Sequence, residues 1–465
     1  MTIDGKGVEG SEKLSVINPA TGKSFIEVPD CTREELDRAV AAARRAFPEW
    51  KALSYDARRE ALLAIAAVLE EHGDEIAELI VQEQGKPFSA AQGEIRSGLR
   101  WSRGTAALEL PVRIAEDSAE RRVEVHRVPI GVVGAIAPWN FPIVQACWKI
   151  LPALLAGNTV VLKPSPFTPV ATLRLGELLQ GVLPAGVLNV VSGGDRLGPW
   201  MTEHPDIDKI SFTGSTATGK LVMRSAAGTL KRLTLELGGN DAAIVMEDAD
   251  ITKAVEGLAW GAMRNAGQIC SATKRIYVHD SVYDHFARAF ADRVAGVRFD
   301  RADVAGAEVG PVQNRTQFER VSAIIEDSRA EGHGFLLGEA EAGSDAGYLI
   351  KPAIIDCPPD DSRIVVEEQF GPVVPLLRFT ELDDVLKRVN ATQYGLGVSI
   401  WSADLAKARE LSLAIDCGTA WINETQYVSP DFPFGGHKQS GLGVENGIEG
   451  LLAYTQTQTL VLRRG

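Results

Sequence analysis

Three polar side chains in this 465-residue chain have the chemistry of a covalent catalyst. Cys270 closes the stretch Asn265–Cys270 (NAGQIC), Glu236 lies upstream in Leu235–Gly239 (LELGG), and Asn140 lies in Pro138–Pro142 (PWNFP). A thiol is a strong nucleophile, a carboxylate in an apolar strand can serve as a general base, and an amide can donate a hydrogen bond to an oxyanion. Together these residues indicate covalent catalysis at a carbonyl carbon.

Each of the three also has an ordinary structural explanation. A lone cysteine is usually a small buried apolar residue, but Gly267 and Gln268 place Cys270 in a turn whose backbone N–H groups can favour a thiolate. Glu236 could instead form a salt bridge at the end of its strand, although burial would raise its pKa towards that of a general base. Asn140 could simply form a turn. Local patterns leave both explanations open for each residue.

A second group of candidates follows the strands of a predicted parallel sheet. From about Ile130 to Gly228, short β-rich runs alternate with helical segments, as in βαβ units. The predicted strands are Gly131–Ala137, Thr159–Lys163, Val187–Ser192 and Lys209–Thr213, and the predicted helices are Ile143–Leu155, Pro169–Leu183 and Ala217–Ala227. Such sheets bind ligands where strands end and helices begin. The residues found at these ends are Pro138, Trp139, Lys163, Ser165, Gly214 and Ser215.

These strand ends could hold an anionic cofactor. Gly214 and Ser215 open a helix whose N-terminus could bind an anion, although Ser215 is also an ordinary N-cap residue. Lys163 could hydrogen-bond a ribose or a phosphate, or be solvated at the rim of the sheet. No G-x-G-x-x-G follows a strand, so a dinucleotide would have to bind without that fingerprint.

The rest of the chain supplies scaffold, a second α/β region and an arm. A capping box of Thr32 and Glu35 begins a helix that should bury Leu36, Val40 and Phe47. The second region has predicted strands at Ala242–Met246, Arg275–His279, Val373–Arg378, Gly397–Trp401 and Thr419–Asn423. Two further segments, Arg121–Pro129 and Tyr454–Arg463, alternate at period two. We expect them to form an arm that joins subunits, one subunit's strand pairing with another subunit's tail.

Composition narrows the class of protein. The 48 Lys and Arg against 62 Asp and Glu give a net charge of −14, and without a basic cluster this argues against nucleic acid or an anionic membrane as partner. The five cysteines show no C-x-x-C spacing and no secretory signal is visible, so we expect free thiols and a cytoplasmic location. The seven histidines show no metal-binding spacing, so we predict no metal site.

Seven ordered motifs spanning nearly the whole chain resemble those of the aldehyde dehydrogenase superfamily. They follow the leading VINPATG of Val16–Gly22 and are PWNFP, LKPSPFTP, SFTGST, LELGGN, GQIC, EEQFGP and PFGGHKQSG. The resemblance implies an α/β fold with a Rossmann-like cofactor domain (1–110 and 130–238), an α/β catalytic domain (239–433) and an oligomerisation arm with C-terminal segment (111–129 and 434–465). It also implies a homodimer or a homotetramer.

The resemblance also assigns roles. Cys270 would be the nucleophile, Asn140 and the Cys270 backbone N–H would form the oxyanion hole, and Glu236 would activate water. Lys163 and Glu368 would hold the two riboses of a nicotinamide cofactor, Phe370 would pack near the nicotinamide ribose, and Ser215 would face the pyrophosphate. NAD is the expected cofactor. NADP stays open because Pro166 stands where strict NAD users often carry a glutamate. Relatives that transfer the acyl group to coenzyme A tend to lack the glutamate, so Glu236 favours hydrolysis.

The expected substrate is a small aldehyde. Arg264 matches a position where succinic semialdehyde dehydrogenases place an arginine for the substrate carboxylate, but Trp148 stands where their second arginine would be. The predicted pocket residues are Phe141, Val144, Trp148, Arg264, Ile269, Tyr427 and Phe434. This apolar, partly aromatic set favours an aromatic or medium aliphatic aldehyde. Arg264 could instead bind the carboxylate of an acidic-tailed semialdehyde, or form a surface salt bridge. The alternative functions of the whole protein are acyl transfer to coenzyme A, a non-catalytic binding protein and a cysteine hydrolase.

Overall fold

The computed structural model describes residues 1–338 and 347–464. Its strands are β1 Thr2–Ile3, β2 Lys6–Gly7, β3 Glu12–Asn18, β4 Lys23–Asp30, β5 Arg113–Asp117, β6 Arg121–Pro129, β7 Val132–Ile136, β8 Thr159–Lys163, β9 Leu188–Val190, β10 Lys209–Thr213, β11 Arg232–Glu236, β12 Asp241–Val245, β13 Thr273–His279, β14 Gly334–Leu337, β15 Ala353–Asp356, β16 Val373–Phe379, β17 Tyr394–Gly395, β18 Gly397–Trp401, β19 Thr419–Ile422, β20 His437–Lys438, β21 Gly441–Leu442 and β22 Thr455–Arg463.

The helices pack around these strands. They are α1 Arg33–Ala52, α2 Tyr55–Glu71, α3 Gly73–Gln84, α4 Phe88–Ala107, α5 Pro142–Leu155, α6 Val170–Leu178, α7 Leu197–Glu203, α8 Thr216–Ala226, α9 Ile251–Met263, α10 Asp280–Ala295, α11 Arg315–Ala330, α12 Arg363–Val366, α13 Leu382–Asn390, α14 Leu405–Leu413 and α15 Gly447–Leu452. No helix within the described ranges combines the length and the apolar character that crossing a membrane requires.

Two large sheets organise the chain. The first has the order β2-β1-β9-β8-β7-β10-β11-β21. Its five central strands are parallel to one another, namely β9, β8, β7, β10 and β11. The second has the order β14-β15-β16-β13-β12-β18-β19, parallel except at the β14 edge. Both are built from continuous buried runs, as expected for sheets covered by helices on both faces. The predicted α/β class is confirmed.

The first sheet brings the predicted ligand-binding ends together. Strands β8, β7, β10 and β11 are neighbours and parallel, so their carboxyl ends share one edge. Helix α5 starts at this edge, directly after Asn140, and every one of its residues is buried. The predicted strands Thr159–Lys163 and Lys209–Thr213 match β8 and β10 residue for residue, whereas β9 and α6 are shorter than predicted.

The N-terminal helix has the predicted start but a different buried face. Thr32 Oγ1 accepts the backbone N–H of Glu35, and a Glu35 carboxylate oxygen accepts that of Thr32, so the capping box is confirmed. Leu36 and Val40 are fully buried, but Phe47 is only half-buried and Trp50 fills the core instead. Trp50 also finds a partner for its indole N–H at the carbonyl of Leu154 (3.1 Å), which favours it at the buried position.

The arm forms within one chain. A three-stranded sheet of order β22-β6-β5 pairs Thr455 with Pro129 and Arg463 with Arg121, in antiparallel register over nine residue pairs. The expectation that β6 pairs with the tail of another subunit is therefore wrong, because the chain's own tail satisfies the β6 backbone. Strand β22 is left as the edge, with Leu460, Val461 and Leu462 exposed.

Candidate active site

The loop before Cys270 is strained and tightly held. Asn265, Ala266 and Gly267 follow one another with φ of 52°, 54° and 70°, a left-handed run that is costly for the two residues with side chains. Gly267 is required, because a Cβ there would lie 2.2 Å from the Gly371 carbonyl oxygen. The buried Lys274 ammonium then binds the carbonyls of Ile269 (2.8 Å), Cys270 (2.9 Å) and Ala272 (3.2 Å). These contacts fix the backbone that presents the thiol.

Asn140 is tied to this loop by its own side chain. Its Nδ2 donates to the carbonyl of Gln268 at 2.9 Å, while its buried Oδ1 has no hydrogen-bond partner in the described chain. Asn265 Nδ2 donates weakly to the carbonyls of Asn140 (3.3 Å) and Gln268 (3.4 Å). Because only one amide hydrogen of Asn140 is needed for Gln268, the other is free to bind an oxygen beside Cys270.

A buried ion pair that sequence reasoning missed supports the Asn140 turn. Lys86 Nζ donates to the Asn140 carbonyl (2.9 Å) and to Glu94 (2.7 Å), and it lies 3.9 Å from the centroid of the Phe141 ring. The second oxygen of Glu94 accepts the backbone N–H of Ile143 (2.8 Å) at the start of α5. Lys86 and Glu94 have side-chain exposures of 2% and 0%, so this ion pair is shielded from solvent.

Glu236 ends strand β11 with its carboxylate buried. Only 2% of the residue is exposed, and neither oxygen has a hydrogen-bond partner of good geometry among the described residues. Burial raises its pKa to about 7, and the adjacent Cys270 thiol and the Lys149 ammonium act in the opposite direction. A carboxyl group with a pKa near neutrality can take up and release protons under physiological conditions.

The surroundings of Cys270, which is only partly exposed, act against ionisation of its thiol. Burial first, and then the charge of Glu236, raise the pKa of the Cys270 thiol well above its usual range, while Lys274 lowers it. Desolvation thus acts against the turn N–H groups, which can favour a thiolate. A proton acceptor must lie close by, and Glu236 is the neighbouring carboxylate.

A second buried ion pair lies behind Glu236 and was also missed. Lys149, on α5, donates to Glu445 (2.9 Å) and to Thr213 Oγ1 (2.8 Å), with both charged side chains fully buried. The other Glu445 oxygen has no hydrogen-bond partner among the residues that the structure describes. A lysine inside the apolar run of α5 was the available signal, but nothing in the sequence pointed to Glu445 as its partner.

The other predicted residues lie on the sheet edge beside this cluster. Lys163 is buried, and its one hydrogen bond to a described residue goes to the Pro164 carbonyl (3.1 Å). Burial lowers its pKa to about 8. No carboxylate within the described ranges forms an ion pair with it. Ser215 caps α8 by accepting the N–H of Thr218 (3.2 Å), directly after Gly214 at the end of β10. Ser165 accepts the N–H of Phe167 in the turn after β8.

Glu368 and two aromatic rings face the same region. Glu368 Oε1 accepts the Gly239 N–H at 3.1 Å, and a Cβ at Gly238 would lie 2.2 Å from Glu368 Oε2, so a larger residue there would displace the carboxylate. Trp139, next to Pro138, meets Phe370 edge-on at 5.3 Å between ring centroids. A buried, unpaired ammonium, a helix N-terminus and a positioned carboxylate suit a ligand with hydroxyl and phosphate groups. No group of three potential metal ligands occurs among the described residues.

A cavity of about 210 Å³ opens in front of Cys270 and Asn140. All seven predicted pocket residues line it, together with Glu94, Ser97, Arg100, Trp101, Gln145, Ser271, Gln426 and Val428. Trp148 stacks on Trp101 (5.4 Å) and meets Phe434 edge-on (5.7 Å), and Tyr427 lies half-exposed at the rim. Arg264 forms no salt bridge with any described carboxylate, so the surface salt bridge considered for it is wrong.

Comparison with known proteins identifies the family. The aldehyde dehydrogenase family model matches residues 7–460. Phenylacetaldehyde dehydrogenase of Pseudomonas fluorescens is 38% identical over 99% of this chain and 95% of its own length. The NAD⁺ complex of aldehyde dehydrogenase from Bacillus cereus matches with a TM-score of 0.97 at 36% identity, covering 100% of this chain and 96% of its own. An NADP-dependent enzyme of E. coli matches with 0.96 at 36% identity, covering 99% and 97%.

The chain therefore belongs to the aldehyde dehydrogenase family. Aldehyde dehydrogenases use NAD or NADP, so it is an NAD(P)-dependent oxidoreductase of that family.

Proposed function

We propose that this chain oxidises an aromatic or medium aliphatic aldehyde to the carboxylic acid, with NAD, or alternatively NADP, as cofactor. One observation carries the proposal. Cys270, the Asn140 amide tied to its loop and the buried Glu236 carboxylate converge beside a cavity lined by aromatic rings.

The first step forms a bond from sulfur to carbon. The Cys270 thiol gives its proton to the neighbouring Glu236, and the sulfur attacks the aldehyde carbon. The carbonyl oxygen gains negative charge and accepts hydrogen bonds from the free Asn140 amide hydrogen and from the Cys270 backbone N–H. A bound NAD(P)⁺ would supply the hydride acceptor for that carbon, and loss of the hydride would leave a thioester on Cys270.

The second step hydrolyses the thioester. Glu236, once it has lost its proton to solvent, removes a proton from water, and the hydroxide attacks the thioester carbon. The carbon–sulfur bond breaks, the carboxylic acid leaves, and the Cys270 sulfur takes the proton back from Glu236 to recover its thiol. A pKa of about 7 leaves a large ionised fraction of Glu236 at neutral pH, which favours hydrolysis over transfer to coenzyme A.

The cofactor would occupy the carboxyl edge of the first sheet. Lys163 and Glu368 would bind its two riboses, and Ser215 with Gly214 would place the N-terminus of α8 at the pyrophosphate. Phe370, packed against Trp139, would flank the nicotinamide ribose, with Pro138 and Ser165 beside it. Pro166 supplies no carboxylate against a 2′-phosphate, which is why NADP stays the alternative.

The substrate proposal rests on the cavity and one relative. The rings of Trp148, Trp101 and Phe434 form an apolar wall suited to a flat aromatic body. The relative named for phenylacetaldehyde supports the aromatic class of substrate.

The exposed apolar edge of β22 supports assembly as a homodimer or homotetramer. The five free cysteines are typical of a protein in the reducing cytoplasm.

The direct test is formation of reduced cofactor. Purified protein is given NAD or NADP with aromatic, aliphatic and semialdehyde substrates, without coenzyme A. We expect turnover that disappears in Cys270→Ala, and acid as the product. Turnover that requires coenzyme A, or that persists in Cys270→Ala, would contradict the proposal.

A further inference from the structure

Besides Asn140, three buried polar side chains in the lining of the aldehyde cavity have an unpaired group. They are Gln145 and Trp148 on helix α5 and Gln426 in the loop after β19, and each is at most 7% exposed. The unpaired atoms are Gln145 Oε1, Trp148 Nε1 and Gln426 Oε1, none of which has a hydrogen-bond partner among the described residues. Buried polar groups in proteins are nearly always hydrogen-bonded, so three exceptions around one cavity point to a ligand as their partner.

Gln145 and Trp148 belong to one face of α5. Residues three apart on a helix are neighbours, so the two side chains lie one turn apart on the side that lines the cavity. The Trp148 ring is held there by the stacked ring of Trp101 (5.4 Å between centroids) and by Phe434 edge-on (5.7 Å). The side chains of Trp101 and Phe434 carry no acceptor atom, so the Trp148 indole N–H needs an acceptor from elsewhere.

Gln426 adds a second acceptor of the same kind. Its Nε2 donates to the carbonyl of Gly261, which leaves Oε1 unpaired. The backbone of Gln426 has a φ of 56°, a left-handed conformation that is costly for a residue with a side chain. The three unpaired groups are therefore two acceptors and one donor, and all of them are neutral.

The chemistry of these groups selects a hydroxyl as their partner. A hydroxyl donates one hydrogen bond and accepts others, so it can pair with an amide oxygen and an indole N–H at once. A methyl group can do neither, a carboxylate or a methoxy oxygen only accepts, and an ammonium only donates. Neither an apolar nor an ionic substituent therefore satisfies the set.

We infer that the physiological aldehyde is an aromatic one whose ring carries a hydroxyl group, which donates to Gln145 Oε1 and accepts from the Trp148 indole N–H. The inference rests on the proposed function and narrows its substrate class to hydroxy-substituted aromatic aldehydes. A second hydroxyl on the ring would pair with Gln426 Oε1. Aldehydes without a hydroxyl leave the buried groups unpaired, and a site that hydrogen-bonds a substrate hydroxyl discriminates strongly against such analogues.

The first test compares aldehydes that differ in one ring substituent. For 2-, 3- and 4-hydroxybenzaldehyde against the methylbenzaldehyde substituted at the same position, kcat/KM is measured at pH 6, where the phenol keeps its proton. We expect wild-type protein to favour the hydroxy aldehyde by about tenfold or more at one position at least, since leaving a buried group unpaired costs roughly 5- to 150-fold. The methoxy aldehyde at that position accepts but cannot donate, and it should lose most of this advantage.

Two substitutions assign the preference to the α5 pair. Gln145→Met keeps the length of the side chain and removes the acceptor, so it should reduce the preference by about fivefold or more. Trp148→Phe removes the indole donor and should also reduce it, which tests the inference independently if the methionine variant does not fold. Gln92→Met is the matched control, because Gln92 lies outside the cavity on α4 and its amide donates to Asp74 (2.8 Å). A preference that survives both cavity substitutions overturns the inference.

A binding measurement separates this inference from the proposed function. Titration calorimetry with Cys270→Ala protein compares each hydroxybenzoate with the methylbenzoate of the same substitution pattern, so the effect of the substituent on aldehyde reactivity does not enter. Tighter binding of a hydroxy acid that Gln145→Met abolishes supports the inference even if no aldehyde turns over, a result that would sink only the proposed activity. Equal binding in all three pairs overturns the inference even if turnover is fast.

Discussion

Replacing Glu236 with glutamine should stabilise the folded protein at alkaline pH while it disables hydrolysis. The carboxyl group is 2% exposed, and burial raises its pKa from an ordinary 4.5 to about 7. The unfolded chain ionises this group near its ordinary pKa, so folding at higher pH must either protonate the carboxylate or bury its charge. Glutamine has a similar shape and removes that cost.

The size of the effect follows from proton linkage. At about 1.36 kcal/mol for each pKa unit, a rise from 4.5 to about 7 corresponds to about 3 kcal/mol. Below pH 4.5 both states hold the proton and the cost is absent. It grows as the pH rises through this interval and is complete above about pH 7. The glutamine variant should therefore gain stability relative to wild type between about pH 5 and pH 8.

The assay is urea denaturation of both proteins at equal concentration, at pH 5 and pH 8, after confirming that unfolding is reversible. Glu203→Gln serves as the control, since Glu203 ends helix α7 with its side chain exposed on the surface. A Glu236→Gln variant that is equally stable to wild type at both pH values would refute the reasoning, because it would mean that the buried carboxylate is solvated or paired in solution.

Three further predictions follow from the same structure. Where hydrolysis limits turnover, kcat should rise about tenfold from pH 6 to pH 8, since the ionised fraction of Glu236, with a pKa of about 7, rises from about 9% to about 91%. A steady-state rate that does not change with pH, with the acylation burst measured separately, would contradict this prediction. Lys86→Met should lower kcat by about 10- to 100-fold, because it releases the Asn140 turn, and loss of such an amide donor lowers kcat by about 100- to 1,000-fold. Recovery of kcat in Lys86→Arg, together with unchanged cofactor binding, would show that Lys86 positions Asn140 and that the loss is not due to unfolding. A wild-type kcat in Lys86→Met would refute the prediction. Removing the residues after Tyr454 should give monomeric or insoluble protein, because β6 loses its partner strand and the apolar edge of β22 is gone. An unchanged sedimentation profile would contradict the prediction that the arm joins subunits.

The sequence predicted the large elements well because each has a strong local signal. Strand β8 (TVVLK) has an apolar centre, strand β10 (KISFT) alternates polar and apolar residues, and turn residues follow both, so their bounds matched. The edge where Asn140, Lys163 and Ser215 meet could also be predicted, because neighbouring parallel strands end together. Phe47 was misplaced since helical periodicity alone cannot tell which of two aromatic residues, Phe47 or Trp50, reaches the core.

The missed features depend on partners far apart in sequence. Lys86 binds the Asn140 carbonyl 54 positions away, and Lys149 pairs with Glu445 296 positions away. No local pattern indicates such a pairing. The upward shift in the pKa of Cys270 has a related origin: it comes from the three-dimensional packing around the thiol, which the flanking residues do not indicate.

The pairing of β22 with β6 has a consequence for biosynthesis. Arg464 contacts Ser118, 346 positions earlier, and Asn158 donates to the carbonyl of Tyr454 across 296 positions. A ribosome adds residues one at a time, so β6 is complete long before its partner strand has emerged. During that interval β6 has β5 on one side and an open edge on the other. The nascent chain can fold its first helices early, but it must remain protected from edge-to-edge association until its last residues are released.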